Sequence, residues 1–592
     1  MKIDANDRTV DSIFENGQHC IPWYQRPYAW GDQNIDDYWK DVILSADQHF
    51  LGSIVIIALD NKQHEVVDGQ QRLTTIFLTL NALAKKYKEL NFMKEFNGLS
   101  NYISYVDLQG EPQYRLYNEQ TQKSLVSYIY DPVSDSMKSS IAEPGLEVAA
   151  FRKILKYIDN ALQESGSEDD DKRAILNKIR DKVLSSTFVY VTVEDRYNAF
   201  NIFETLNDRG LSLTSTDLVK NLLFSHIPKS QEKSELSVWE SIWESLAEAD
   251  KAGAAPIKGP EFLYYFWNSQ GKDKDPDIDV ITEKRIRRSV DSYIKACTDY
   301  GAASQDLIGD MARYAKIVEC LSIVAASKGA SYPWKTLIQT HYPKQEYRED
   351  KFENPSAYIW GILTMQAKQP LPLLLAAVER YLKRDISNKM FSDLLKSMRD
   401  LQVRWSIAQV SSTSKNRALY RKYSCLLSSA SNRGESHKVI QDFIVDAHKA
   451  SPPDGAFKTG LRKLRYADDL VKDKDKIVYL LTTIYKANQA GYDFSEAASV
   501  EHIEPQHGHS SKSNKNVWVY KLGNLAFLPS NVNSSLNHQD FESKSSTIAK
   551  YTFDGDSVLL QALRNKVWTN EDSNLRTEDL ISKATDIWKR NL

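Results

Sequence analysis

The most constraining feature of this sequence lies near its C-terminus: Val500-Glu501-His502-Ile503-Glu504-Pro505-Gln506, then Gly523-Asn524-Leu525, then Asn533. Ala497 to Ile503 reads as a first strand ending at the histidine, and Leu525 to Leu528 as a second, apolar strand. Pro529-Ser530 breaks that strand, and the asparagine-rich segment behind it can start a helix. The polar residues on this strand–strand–helix frame suit one-metal phosphodiester cleavage. Glu501 can ligate a hard divalent cation through oxygen. His502, whose imidazole titrates near neutrality, can take a proton from an attacking water. Asn533 offers a second, neutral oxygen ligand, and Asn524 can hold the histidine in the right tautomer from behind. An isolated Glu-His pair commonly marks only a strand end, and asparagine clusters commonly mark turns. Here four of the eleven histidines fall between His502 and His538, and the motif elements keep a fixed order.

These residues resemble the ββα-metal (HNH) nuclease superfamily, in the DUF1524 branch that carries an E/D-H-I-x-P-Q box and a later G-N-L. The match continues with Asn533, nine residues beyond Asn524, and with Asn537, Phe541 and Lys544 as an N-x-x-x-F-x-x-K tail. The resemblance implies catalytic roles for His502, Glu501, Asn524 and Asn533. It also implies Mg²⁺ (or Mn²⁺) on Glu501 and Asn533, with Asn537 and Lys544 directed at DNA. His507, His509 and His538 read as phosphate or solvent contacts. No CxxC pair flanks the box, so no structural zinc is expected.

A second constellation lies at the other end. Ile21-Pro22-Trp23-Tyr24-Gln25-Arg26-Pro27-Tyr28-Ala29-Trp30 gathers aromatics around an arginine, and Phe50 to Ile56 follows as an apolar strand with an early glycine. Val66-Val67-Asp68-Gly69-Gln70-Gln71-Arg72-Leu73-Thr74-Thr75 passes from strand through a tight turn into an apolar helix over Ile76 to Leu83. Backbone N–H groups at such a helix start favour an anion, and Gln70, Gln71 and Arg72 add donors suited to a polyphosphate. Thr74 and Thr75 could supply hydroxyls. A helix merely capped by Asp68 is the simpler reading of that segment alone. The aromatic block supports two readings: Trp23, Tyr24, Tyr28 and Trp30 stack on a base or enclose modified DNA, or they are core residues. Gln25 and Arg26 point to function, because polar groups in an aromatic cluster are costly unless paired.

With Phe203-Glu204-Thr205-Leu206-Asn207-Asp208-Arg209-Gly210 and the Leu213, Asp217, Leu218, Lys220, Asn221 pattern behind it, these blocks resemble the DUF262 family over about residues 8–225. That resemblance implies a ParB/sulfiredoxin-like α/β core with helical additions. It implies a nucleotide site at Asp68, Gly69, Gln70, Gln71, Arg72 and Thr74, with Asn207 and Arg209 joined to it and Asp217 and Lys220 as further candidates. It leaves open GTP, ATP or UTP. No Walker A pattern occurs in the sequence, which excludes the P-loop route to NTP hydrolysis.

A chain of 592 residues exceeds a single core. The expected layout is an α+β multidomain protein: a DUF262 domain over 1–225, a helical connector over 226–430 and a DUF1524 nuclease over 431–592. Within the middle, 370–382, 389–401 and 436–449 repeat apolar residues at helical spacing. Glu164 to Asp171 reads as a solvated acidic loop, and Thr187 to Val193 as a strand rejoining the N-terminal sheet. A net charge of −3 places any DNA-binding surface on local patches. Lys284, Arg285, Arg287 and Arg288 form one such patch, and Arg462, Lys463 and Arg465 another. Cys20, Cys297, Cys320 and Cys425 lack metal or disulfide spacing, and no apolar signal core or membrane span is seen, so a cytoplasmic protein is expected.

Joined in one chain, the two resemblances point to GmrSD-type modification-dependent (type IV) restriction endonucleases and to phosphorothioate-sensing defence nickases. Both imply double-stranded phage or modified DNA, an NTP and Mg²⁺, with a homodimer left open. An RNA-directed abortive-infection nuclease and a binding module with a decayed box are the other readings.

Overall fold

A computed structural model describes residues 3–590 apart from 16, 23–24, 26, 47–48, 60–62, 108, 119–122, 125–144, 165, 167, 194–213, 254–256, 273–284, 343–344, 366–367, 410–412, 468–469, 489–497, 507–517 and 537–538. It is a mixed α+β, mostly helical structure. The chain divides into two compact units, Met1–Glu232 with Thr298–Ser304, and Lys233–Cys297 with Gln305–Leu592.

The first unit is built on strands β1 (Ile3–Thr9), β2 (Gln18–Ile21), β3 (Phe50–Ala58), β4 (Gln63–Asp68), β7 (Leu116–Asn118), β8 (Lys123–Ser124) and β9 (Thr187–Val193), with β5 (Ser104–Val106) and β6 (Pro112–Tyr114) forming a separate ribbon. The sheet order is β1-β9-β3-β4-β2-β7-β8. β9, the strand expected to rejoin the sheet, inserts between β1, antiparallel, and β3, parallel. Side chains alternate between its faces. Ile54, Ile56, Val66, Phe188 and Tyr190 pack with Leu73, Ile76, Phe77 and Leu80 of the helix Gln70–Glu89. Val55, Ile57, Val67, Val191 and Val193 form a second buried cluster on the other face.

That helix starts at Gln70, six residues before the apolar run that announced it. Several of its buried polar side chains donate to the helix backbone itself. Thr75 Oγ1 donates to Gln71 O at 2.9 Å, Thr79 Oγ1 to Thr75 O at 2.8 Å, and Asn81 Nδ2 to Phe77 O at 2.7 Å. The expected acidic loop is shorter than its charge run. Asp169, Asp170 and Asp171 form the first turn of the helix Asp169–Ser185, where carboxylates meet the positive end of the helix dipole.

The second unit contains both the helical middle and the C-terminal segment. Helices Leu371–Leu382, Asn388–Ala408 and Arg433–Ala450 occupy the three spans marked by apolar periodicity. Arg404, 1% exposed, ties this layer to the C-terminal part. It donates to Pro452 O at 2.7 Å and Trp588 O at 2.8 Å, and it pairs with Asp454 at 2.6 Å. No helix among the described residues is long and apolar enough to cross a membrane.

Candidate functional site

Strand β10 (Ala498–His502) pairs antiparallel with β11 (Leu525–Pro529), placing Glu501 opposite Ala526 and His502 opposite Leu525. The helix Ser530–Leu536 follows directly. Alternation sends the two motif residues to opposite faces. Val500, Leu525 and Phe527 pack in one core, and Ile503, Ala526, Leu528 and Phe541 in another. Glu501 belongs to the second face and His502 to the first.

On the Glu501 face, Asn533 donates its amide to Ser499 Oγ at 2.7 Å and to Val500 O at 3.2 Å. Ser499 and Glu501 project from the same side of β10, so Asn533, bonded to Ser499, lies on the Glu501 side of the strand. Lys544 lies in the helix Phe541–Ala549 with its side chain fully buried, 2.8 Å from Glu501 Oε1 and 2.5 Å from His502 O. This corrects the expectation of a DNA contact. An ammonium packed between a carboxylate and a strand carbonyl has no face left for a phosphate.

His502 is 6% exposed, between the rings of Tyr466 and Tyr520. Its Nε2 lies 3.2 Å from Tyr466 O. A carbonyl can only accept, so that nitrogen carries the proton and Nδ1 keeps the lone pair. Gln506 Nε2 is 2.8 Å from Nδ1 and 3.2 Å from Nε2, a pair of distances that sets the carboxamide against the ring face rather than in its plane.

Asn524 does not orient the imidazole, contrary to expectation. Fully buried, it grips the backbone of Glu504 at both ends, accepting from Glu504 N at 2.9 Å and donating to Glu504 O at 3.1 Å. It also donates to Val519 O at 2.7 Å and accepts from Trp568 Nε1 at 2.8 Å. It therefore shapes the loop that leaves His502. The Gly523 beside it lies so close to the helix Asn570–Ile587 that a Cβ would strike Ser573 O. Arg576, buried from that helix against Asp556, donates to Gly523 O and Leu525 O at 2.7 Å each. Sequence reading missed Tyr466, Trp568, Asp556 and Arg576; none adjoins the box in the chain.

In the first unit, Gly69 sits at φ 92°, the left-handed turn that joins β4 to its helix, with Ile54 too close for a Cβ. Gln71, 8% exposed, accepts from Ala29 N at 2.8 Å and donates to Pro27 O at 3.2 Å. Gln25 Nε2 donates to Val67 O at 2.8 Å. Arg72 donates to Leu51 O at 2.9 Å and pairs with Asp68 at 3.3 Å, its guanidinium filling the space over Gly52. The aromatic block and the D-G-Q-Q-R turn are thus one structure. Gln70 is 7% exposed, and its Oε1 is buried without a hydrogen-bond partner among the described residues.

Other site expectations change here. Tyr28 is 7% exposed with its hydroxyl 2.7 Å from Thr75 Oγ1, so both are core residues rather than ligand contacts. Trp30 packs half-buried against the same core, and Thr74 is buried. Asp217 is committed to a capping box with Thr214 at the start of the helix Ser215–Ser225. Arg462 forms a two-point ion pair with Glu578, and Arg465 turns half-buried onto the carbonyls of Arg462 and Leu464. Trp23, Tyr24, Arg26, Asn207, Arg209, Lys284, His507, His509, Asn537 and His538 lie outside the described residues.

Two family models match the chain: the N-terminal domain of the GmrSD restriction endonuclease over residues 10–224 and the C-terminal domain of the GmrSD restriction endonucleases over residues 452–583. Together they span more than half of its 592 residues. The chain belongs to the GmrSD restriction endonuclease family. It is therefore a nuclease, a hydrolase of the restriction type with DNA as its substrate. The GmrSD N-terminal match includes β2, β3, β4 and the turn at Gly69, and the C-terminal match includes β10, β11, Lys544 and Arg576. No curated protein is similar enough to the chain to match it.

Proposed function

We propose that this GmrSD protein is an NTP-regulated endonuclease of anti-phage defence that cuts modified foreign DNA, using a one-metal site of the ββα (HNH) kind. The observation that carries this reading is the end of β10, with Glu501 and Asn533 on one face and His502, oriented by a main-chain carbonyl, on the other.

The donor set suits a hard divalent cation. Lys544 holds Oε1 of Glu501, and Oε2 accepts no hydrogen bond among the described residues. Asn533 spends its amide nitrogen on β10, which turns its carbonyl oxygen the other way. Glu501 and Asn533 would hold Mg²⁺ or Mn²⁺ through these oxygens. When bound, the ion would stabilise the negative charge that develops on the phosphate and the leaving 3′ oxygen. His502 Nδ1, its lone pair fixed by the bond from Nε2 to Tyr466, takes the proton of the attacking water. Because the two motif side chains leave β10 on opposite faces, the scissile phosphate lies along the end of that strand.

The nucleotide half rests on the Asp68–Arg72 turn. The left-handed Gly69 opens a 20-residue helix, and Arg72, its side chain 24% exposed, lies in the first turn. Free N–H groups and an arginine suit a triphosphate, whether GTP, ATP or UTP. A seven-stranded sheet packed by that helix agrees with a ParB/sulfiredoxin-like core.

The test is plasmid cleavage by purified protein with Mg²⁺ and each NTP. Substrates are unmodified DNA, hydroxymethylated or glucosylated DNA, and phosphorothioated DNA. Cutting confined to base-modified DNA is expected. Nicking of unmodified DNA, with phosphorothioate stimulating NTP turnover, would replace this reading with that of a sensing nickase. RNA cleavage without DNA cleavage would overturn both.

A further inference from the structure

We propose that Lys544 makes cation binding at the nuclease site wait for DNA. This rests on the metal-dependent reading above and assigns Lys544 a role there. The side chain of Lys544 is 0% exposed and that of Glu501 14% exposed, with their charged atoms 2.8 Å apart. Lys544 Nζ also donates to His502 O at 2.5 Å. Its helix is anchored by Phe541 and Ile548, both buried in the core beneath β10. Withdrawing one partner would leave a buried charge unpaired, which is strongly unfavourable, so the pair persists.

The consequence is a charge balance. Glu501 supplies the negative charge of the proposed donor set, and Lys544 cancels it. Asn533 is neutral, and His502 acts as a neutral base. Affinity for a hard divalent cation follows the charge of its ligands, so the set of Glu501, Asn533, His502 and Lys544 is formally neutral, with Asp540 a further carboxylate within electrostatic reach of Lys544. A DNA phosphate supplies the missing negative charge. Cation and DNA then bind cooperatively, each raising the affinity for the other by the same factor. In this account Lys544 is a positioning residue that never touches substrate.

The experiment measures Mn²⁺ binding to the metal-stripped full chain by the electron paramagnetic resonance of free Mn²⁺, without NTP. It compares wild type, Lys544→Met, Lys544→Gln and Glu501→Gln, and the His502→Ala protein with and without a short duplex. Wild type is expected to bind weakly alone, and Lys544→Met at least about tenfold more tightly, since one nearby charge is removed. Lys544→Gln keeps a donor for His502 O and should behave the same way. Adding duplex to the His502→Ala protein should tighten Mn²⁺ at least about tenfold. Folded Lys544 variants that bind Mn²⁺ no better than wild type would overturn the proposal. If neither variant folds, tight Mn²⁺ binding without duplex in wild type would overturn it instead. Glu501→Gln separates the two claims: Mn²⁺ binding indifferent to that change means the metal site itself is wrongly assigned.

Discussion

Gln71 in the first unit and Asn524 in the second do the same work. Each is a buried carboxamide that grips a passing backbone with both its oxygen and its nitrogen, Gln71 at Ala29 and Pro27, Asn524 at Glu504. What differs is the charged group beside each grip. Arg72 and Asp68, with side chains 24% and 16% exposed, face one another at a helix start that remains accessible. Lys544 is sealed beneath β10 and holds Glu501 from within. The family motifs thus mix residues that build a loop with the residues to which the proposal assigns chemistry. Neutral amides build in both units, while the charged pair is open where a nucleotide is proposed and closed where a metal is.

The comparison breaks most readily at Arg576. Its buried pairing with Asp556 and its bonds to Gly523 and Leu525 have no counterpart around Gln71 among the described residues. Arg576→Met should cost about 3–5 kcal/mol, the usual penalty for breaking a buried pair. Denaturant unfolding followed by hydrogen exchange should place the loss in the second unit, and unchanged stability would show that the G-N-L segment needs no such pin.

Asn524→Ala and Gln71→Ala sharpen it. Each partner group left buried and unsatisfied costs about 1–3 kcal/mol. Asn524 serves Val519 and Trp568 besides Glu504, so its loss should exceed that of Gln71. Equal losses, measured by urea titration of the two variants, would contradict the count of partners.

The smallest effect appears only in acid and only in the first unit. His19, on β2, is 1% exposed with its Nε2 2.9 Å from the Tyr190 hydroxyl. Burial, then the nearby His64, Arg8 and Arg115, pull its pKa from 6.5 down to about 3. The unfolded chain therefore takes up a proton that the folded chain refuses, and His19's contribution is intact above pH 6.5 and drains as pH falls toward 3. His19→Gln should flatten that part of the pH–stability curve, and an unchanged curve would count against a neutral buried imidazole.

Much of this was legible in the sequence because it is local. The strand pair around the box, the turn at Asp68-Gly69 and the long helix behind it follow from alternation, a glycine and apolar spacing. The partners of the motif residues were not legible. Tyr466 reaches His502 across 36 positions, Arg462 reaches Glu578 across 116, and nothing in periodicity reports such pairings. Lys544 and Tyr28 look like surface or ligand residues in a string of letters, and only packing reveals that their polar ends are spent inside. The partner of Asn524 was not legible either, since an amide suits a backbone grip as well as an imidazole.

The central claim is that chemistry lies at His502 and nucleotide turnover at Arg72. The direct measurement takes wild type, His502→Ala and Arg72→Ala and follows DNA cleavage and NTP hydrolysis in the same reaction. His502→Ala should lose at least about a hundredfold in cleavage, as for a general base, while still hydrolysing NTP. Arg72→Ala should lose NTP hydrolysis. If either change, with the fold intact, removed both activities or spared both, the division of roles between the two units would be wrong.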